Sequence, residues 1–117
     1  MAKYMYQASY TLEGVRGLLK ETASGRRKAI ESAIAALGGK VESFYYCFGK
    51  DDVILIMDLP NNVSAAGLGM TVAASGMVRG RITPLLTVEE ADKALGVKVG
   101  YRPESGTKAI YYAKVDG

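Results

Sequence analysis

The 117-residue sequence predicts an α+β fold whose elements follow the order β-α-β-β-α-β. Three observations predict this order. Residues 3–10 alternate with a period of two, residues 25–37 carry apolar side chains at helical spacing, and residues 44–60, "FYYCFGKDDVILIMDLP", have the pattern of two strands joined by a polar corner. A further helix and strand follow, which makes the arrangement ferredoxin-like, with two βαβ halves.

In the first half of the chain, turn and capping residues separate the predicted elements. Thr11 can cap a first helix, "TASG" interrupts the helical pattern, and Gly38-Gly39 ends it. Alternation in the second strand places Val41, Ser43, Tyr45 and Cys47 on one face and Glu42, Phe44, Tyr46 and Phe48 on the other. The predicted elements are a strand over 3–10, helices over 12–21 and 25–37, and strands over 40–48 and 53–59.

The second half begins after Pro60, which ends the third strand. Asn61 or Asn62 can cap a helix that ends at Gly76. Small residues, including Gly67 and Gly69, predict close packing of this helix against the sheet or a neighbouring subunit. Thr87-Val88-Glu89-Glu90 is a capping box for a last helix. The predicted elements are a helix over 63–75, a strand over 77–83 and a short helix that ends near residue 95.

The C-terminal stretch is predicted to be an extension of the main domain. Residues 1–95 form the predicted domain, and residues 96–117 follow it. The segments "VKVGYR" and "TKAIYYAKV" resemble strands, and "PESG" between them has turn chemistry. We expect a β-hairpin here, lying on its own sheet or reaching a partner chain; the alternative is a partly ordered tail.

Composition excludes several classes of function. The chain has no histidine, so it cannot build a Ser-His-Asp triad or a His-ligated haem, and its single cysteine cannot form an internal disulfide. We expect neither a metal nor a cofactor. A net charge of +3 without a nucleic-acid motif argues against nucleic-acid binding. No apolar run is long enough to span a bilayer, and the N-terminus has no secretory pattern, so a cytoplasmic location is expected.

The strand residues suggest two candidate sites. Asp58 interrupts an apolar strand, and an inward carboxylate needs a partner, for which Arg79 and Arg81 are the candidates. With Tyr4 and Tyr6 these residues would form a polar ligand pocket in which Asp58 and Tyr6 are the catalytic candidates. Alternatively, Asp58 meets water or caps the next helix.

The side chains on the tyrosine face of the first strand could line a cavity for an aromatic or quinone-like ligand, or belong to the core or a dimer interface; they are Tyr4, Tyr6 and Tyr10.

Three other groups of residues are weaker candidates. Asp51 and Asp52 could share a proton, but solvated charges in a turn explain them better, and Asp52 can also bind backbone N–H groups. Cys47 fits an inert, half-buried thiol better than a reactive thiolate. Arg26-Arg27-Lys28 could hold an anion near a helix start, although a solvated helix face is the simpler interpretation.

Three stretches together resemble the GYD domain family, whose members are largely of uncharacterised function. They are "YMYQASYTLEGVRGLLKE", "ALGGKVESFYYCFGKDDVILIMDLP" and "ASGMVRGRITPLLTVEEADKAL". The resemblance implies a ferredoxin-like domain that pairs into a dimeric α+β barrel. The family's Gly-Tyr-Asp string maps onto the corner, where Gly49 and Asp52 keep the glycine and the aspartate. Asp51 replaces the tyrosine, which puts any role of a phenol at that position in doubt.

Taken together, these observations lead to an expected function. We expect a homo-oligomer, at least a dimer, that binds a small organic molecule between sheet and helices or between subunits. One alternative is a cofactor-independent oxygenase or isomerase of the dimeric α+β barrel type, by analogy of fold alone. Another alternative is a structural assembly subunit.

Overall fold

The computed structural model describes residues 1–104 and confirms the predicted element order. The chain divides into two compact units, one from Met1 to Leu85 and one that begins at Leu86. The first unit holds the sheet and two helices, and the second holds one short helix. The elements are β1 (Ala2–Tyr10), α1 (Leu12–Ala36), β2 (Lys40–Tyr46), β3 (Val53–Leu59), α2 (Asn62–Ala74), β4 (Val78–Leu85) and α3 (Val88–Leu95).

The four strands form one antiparallel sheet in the order β2-β3-β1-β4. Strand β1 lies in the centre, where Tyr4 faces Met57 of β3 and Pro84 of β4. Pro84 is tolerated because β4 is an edge strand, and a proline there removes no bond from the centre of the sheet. This strand order is that of a ferredoxin-like sheet, so the predicted fold class is confirmed.

Helix α1 is broken in the middle, as the "TASG" interruption predicts. Thr22 has φ 73° and ψ 162°, a backbone region that non-glycine residues rarely adopt. Its Oγ1 accepts a hydrogen bond from the Gly25 N–H at 3.2 Å, so Thr22 caps the second half of the helix. Thr11 caps the first half in the same way, through the Gly14 N–H.

Helix α2 begins and ends where the sequence predicts. The Asn61 side chain accepts from the Ser64 N–H at 2.9 Å, and Gly76 follows the helix with φ 72°. A Cβ added at Gly69 would lie 3.1 Å from Ile82 Cδ1, so this glycine allows close packing on β4. A Cβ at Gly67 would meet nothing within 4 Å among residues 1–104, so Gly67 does not pack closely on the sheet, and its packing against a neighbouring subunit stays a prediction.

Both helices of the first unit pack on the same face of the sheet. The period-two prediction for β1 is correct, because Tyr4 and Ala8 point into the core between sheet and helices and are almost completely buried. The buried apolar residues are Tyr4, Ala8, Ile34, Phe44, Val53, Leu55, Met57, Leu59 and Ala65. The opposite face of the sheet carries Met5, Ile54 and Ile56, which are half-buried.

A bulge in β2 changes the predicted alternation of that strand. Val41 pairs with Met57 and Ser43 pairs with Ile56, so the pairing shifts by one residue between them. Glu42 is the extra residue, and Val41 consequently points to the same side as Phe44, against the core. The prediction that Val41 and Phe44 lie on opposite faces is therefore wrong, because a strict period of two cannot include an inserted residue.

The second unit contains the predicted capping box. Thr87 Oγ1 accepts from the Glu90 N–H at 3.1 Å, and Glu90 Oε1 accepts from the Thr87 N–H at 2.9 Å. The hydrogen bonds that Thr87 donates to the Glu90 carboxylate, first from its backbone N–H and then from its side chain, lower the pKa of Glu90. Residues 97–100 form no strand, and Tyr101 makes an isolated bridge. The second strand of the predicted hairpin lies outside the described residues.

In the part of the chain that the structure describes, no helix combines the length and the apolar character that crossing a membrane requires. Within the same residues, no cluster of three or more potential metal ligands is found.

Candidate functional site

A cavity of about 270 Å³ lies between the helices and the sheet of the first unit. Its wall is mainly aliphatic and aromatic, with a small number of polar groups. Strand β1 contributes two phenols, α1 contributes one guanidinium, and α2 contributes two hydroxyls. The lining residues are Tyr6, Tyr10, Arg26, Ile30, Val53, Leu55, Thr71, Val72, Ser75, Met77 and Val78.

The position of Tyr6 in this cavity depends on Gly80. Tyr6 and its β4 partner Ile82 lie on the helix-covered face, and Gly80 lies next along β4 on that face. A Cβ at Gly80 would lie 2.6 Å from Tyr6 Oη and 2.7 Å from the Gln7 carbonyl oxygen. Both distances are shorter than van der Waals contact, so only glycine lets the phenol lie over β4 in this position.

The two phenols of the cavity are hydrogen-bond donors and not bases at neutral pH. Burial raises the pKa of Tyr6 above its ordinary value. Burial also raises the pKa of Tyr10, and the neighbouring Tyr46 raises it further. Arg26 is the other ionisable residue of the cavity wall, and the wall contains no carboxylate among residues 1–104. The cavity is therefore suited to binding and orienting a molecule more than to removing a proton from it.

Arg26 is held at one end only. Its Nη1 lies 3.3 Å from Glu21 Oε2 at the surface, whereas its Nε is buried and has no hydrogen-bond partner among the described residues. Arg27, the next residue, points elsewhere: it pairs with Glu31 at 3.7 Å and lies over the Phe44 ring. The predicted basic cluster thus divides, and only its first arginine lines the cavity.

The predicted residues of the aspartate pocket do not come together. Asp58 lies on the open face of the sheet and accepts a hydrogen bond from Lys3 at 2.9 Å, and Lys3 also pairs with Glu42 at 3.3 Å. Hydrogen bonds to Asp58 and then to Glu42 raise the pKa of Lys3. Arg81 pairs instead with Asp51 at 3.4 Å. The prediction that Asp58 pairs with Arg79 or Arg81 is wrong.

The reason is the register of the sheet. On β1, Lys3 is the partner of Asp58, whereas Arg81 is opposite Gln7, four residues further along. At about 3.3 Å per residue this separates the two positions by roughly 13 Å along the strand. The tyrosines Tyr4 and Tyr6 point to the other face, so the five residues cannot form one pocket.

The predicted tyrosine cavity forms with two of its three members. Tyr6 and Tyr10 line it, but Tyr4 is only 1% exposed and belongs to the core. The Tyr4 hydroxyl donates to Asn62 Oδ1 at 2.6 Å, which satisfies it at the start of α2. Thr71 and Ser75 were not predicted, although their spacing of four residues places them on one side of a helix.

The polar corner between β2 and β3 is a structural turn. Asp52 Oδ2 accepts from the Tyr10 N–H at 2.8 Å, and the Asp52 N–H donates to the Ala8 carbonyl at 2.8 Å. Cys47 is a half-buried thiol that donates to the Asp51 carbonyl at 3.1 Å. Asp51 and Asp52 have separate partners, as expected of a turn and not of a proton-sharing pair. Asp52 also fulfils the prediction that it binds a backbone N–H, which comes from the end of β1.

Comparison with known proteins identifies one family. A family model described as the GYD domain matches residues 4–95, which include the sheet, α1, α2, α3 and the corner with Gly49 and Asp52. No curated protein and no solved structure gives a significant match to the chain.

Proposed function

The chain belongs to the GYD domain family, and on this premise we propose that it is an oligomeric module that binds a small organic molecule in the cavity beside Tyr6 and Tyr10. The observation that carries the proposal is the cavity itself. It is mainly apolar, has few polar groups, and is placed between rigid elements, which is the usual composition of a small-molecule site.

The size of the cavity limits the ligand to a compact molecule. Engineered protein cavities of about 150 Å³ accept benzene. A volume of about 270 Å³ accordingly holds one aromatic ring with substituents, or a small bicyclic molecule. Tyr6 offers an aromatic surface to such a ring, and Val53, Leu55 and Val78 provide an aliphatic floor from the sheet.

The cavity suits a protein that binds a molecule without converting it better than it suits an oxygenase or an isomerase. Removal of a proton from a substrate needs a group that is unprotonated near neutral pH. The raised pKa values of Tyr6 and Tyr10 keep both phenols protonated. Asp58, the carboxylate first considered as catalytic, lies on the other face of the sheet in an ion pair with Lys3.

Filling the cavity tests the binding proposal. We expect toluene, used as a probe, to shift the backbone amide NMR signals of residues around Tyr6 and Val72 in the wild-type protein. Val72→Phe places a ring in the cavity and is expected to weaken this binding at least tenfold. Val63→Phe is the matched control, because Val63 lies on the same helix but is 81% exposed and does not line the cavity. Equal toluene binding in Val72→Phe and Val63→Phe would contradict the proposal.

We propose further that the chain forms a homodimer through the open face of its sheet. Met5, Ile54 and Ile56 form an apolar centre on this face, and Tyr45 beside them is 69% exposed. Ion pairs flank this centre, Lys3 with Asp58 at one end and Arg81 with Asp51 at the other. An exposed apolar patch with a polar rim is typical of an interface, and a two-fold axis would place two such patches against each other.

A charge in the middle of this face tests the dimer. We expect native mass spectrometry of the wild-type protein to give twice the mass of the chain. Ile56→Lys would bring two like charges into an apolar interface, so this variant is expected to be monomeric at micromolar concentration. Leu19→Lys is the control, because Leu19 is 79% exposed on α1, and it is expected to remain dimeric. A monomeric wild-type protein would refute the dimer.

A further inference from the structure

Arg26 has an unusual position for a surface arginine. Its guanidinium is anchored outside by Glu21, which contacts Nη1, while Nε lies in the buried part of a side chain that lines the cavity. Within residues 1–104 this Nε has no acceptor. A buried N–H of a charged group without an acceptor is destabilising, so a molecule that supplies an acceptor would recover this free energy on binding.

The polar groups of the cavity wall are mostly donors. Arg26 has only donors, and the protonated phenols of Tyr6 and Tyr10 each carry an O–H. The Ser75 hydroxyl already donates to the Val72 carbonyl at 2.6 Å and accepts from the Met77 N–H at 3.2 Å. Among the described residues, no carboxylate lines the cavity wall. Because Arg26 has only donors, a ligand that is complementary to it carries an acceptor oxygen.

Resting on the proposed function, we infer that the ligand is a compact aromatic carboxylate, with its ring on the apolar wall and its carboxylate on Arg26. A carboxylate can accept two parallel hydrogen bonds from one edge of a guanidinium. Glu21 contacts Nη1, which leaves the edge formed by Nε and Nη2 for the ligand. The Arg26 side chain is 36% exposed and Nε is buried, so the proposed contact requires a rotation of the guanidinium that turns this edge toward the cavity.

Benzoate and toluene test this inference, because they share a ring and differ in the carboxylate. We expect wild-type protein at pH 7 to bind benzoate at least tenfold more tightly than toluene. Arg26→Met should weaken benzoate binding at least tenfold and change toluene binding less than threefold. Arg27→Met is the matched control: Arg27 does not line the cavity, so affinity for both probes should stay within twofold of the wild type.

The outcomes separate this inference from the proposed function. If toluene and benzoate bind the wild type equally, or if Arg26→Met and Arg27→Met weaken benzoate by the same factor, the inference is overturned and the cavity remains a neutral-ligand site. If neither probe binds the wild type, both the inference and the proposed function fall. Arg26→Lys provides a second variant, because it keeps the charge and removes the bidentate edge. Benzoate binding weakened threefold or more in Arg26→Lys supports the inference, and unchanged binding overturns it.

Discussion

Replacing Gly14 by alanine is expected to lower the free energy of unfolding by about 2–4 kcal/mol. Gly14 lies in the first turn of α1, beside Met77, the residue that precedes β4. A Cβ at this position would overlap the Met77 carbonyl oxygen and would lie 3.0 Å from Tyr10 Cδ1. The obstacle is backbone, so no change of rotamer can remove the clash.

The clash would also break the contact that joins α1 to β4. The Met77 carbonyl accepts a hydrogen bond from the Thr11 N–H at 2.9 Å and another from Thr11 Oγ1 at 3.1 Å. Moving this carbonyl away from a new methyl group would lengthen both bonds. Loss of the N–H bond costs about 1 kcal/mol, whereas the Thr11 hydroxyl keeps the Gly76 carbonyl as its acceptor at 2.8 Å. Overpacking costs typically 1–3 kcal/mol more.

Gly17→Ala is the control for this prediction. Gly17 lies one turn further along the same helix, and a Cβ there would meet nothing within 4 Å. Because alanine is favoured over glycine in a helix by about 1 kcal/mol, this variant should be more stable than the wild type. Chemical denaturation of the two variants measures the difference. If Gly14→Ala were as stable as Gly17→Ala, the described contact of Gly14 with the Met77 carbonyl would be wrong.

Gly80→Ala is expected to cost about 2–4 kcal/mol of stability and to weaken ligand binding as well. The added methyl group would lie 2.7 Å from the Gln7 carbonyl, which is backbone of the central strand, and 2.6 Å from Tyr6 Oη. The phenol can swing away but the carbonyl cannot, so part of the cost stays in the β1–β4 pairing. Displacing Tyr6 also changes the cavity that it lines.

Gly49→Ala provides the comparison for Gly80→Ala. Gly49 is the glycine of the family motif, yet a Cβ there would meet nothing within 4 Å in the described chain. We expect its unfolding free energy to stay within about 0.5 kcal/mol of the wild type, as for most surface substitutions. Urea denaturation and toluene titration of both variants give the two readouts. Equal stability of both variants, or unchanged toluene binding in Gly80→Ala, would contradict the role given to Gly80.

The corner motif contributes to the fold more than to the cavity. Asp52, the retained family aspartate, connects the corner to both Ala8 and Tyr10 at the end of β1. Asp51, which stands in place of the family tyrosine, pairs with Arg81 on β4. Both acids thus attach the corner to neighbouring strands. Neither lines the cavity beside Tyr6.

Local patterns in the sequence predict most of the fold. The helices begin at the predicted caps Thr11, Asn61 and Thr87, and glycines end them where local hydrogen bonding requires it. The break in α1 lies at Thr22, the first residue of the "TASG" interruption. Period-two alternation also predicts that Tyr4 and Ala8 share one face of β1, as the structure shows. These features depend on residues close in sequence, which is why the sequence is sufficient to predict them.

The candidate site could be predicted only in part, since its composition depends on long-range pairing. The tyrosine stripe indicates a cavity with Tyr6 and Tyr10, but the packing of α2 decides that Tyr4 is core and that Val72 lines the wall. No local sequence pattern predicts that the Arg26 side chain lines the cavity, because Arg27 beside it has the same chemistry and lies over the Phe44 ring.

By itself, the sequence determined the order of the elements and which residues of β1 share a face, because periodicity and capping act within a few residues. Only the tertiary structure decided that Asp58 pairs with Lys3, that Glu42 is inserted as a bulge, and that Gly14 and Gly80 meet neighbouring backbone. Each of these depends on strand register or on a helix crossing, where residues far apart in the chain come within a few ångströms. Register is set by the sum of all core contacts, and no single stretch of sequence contains that information.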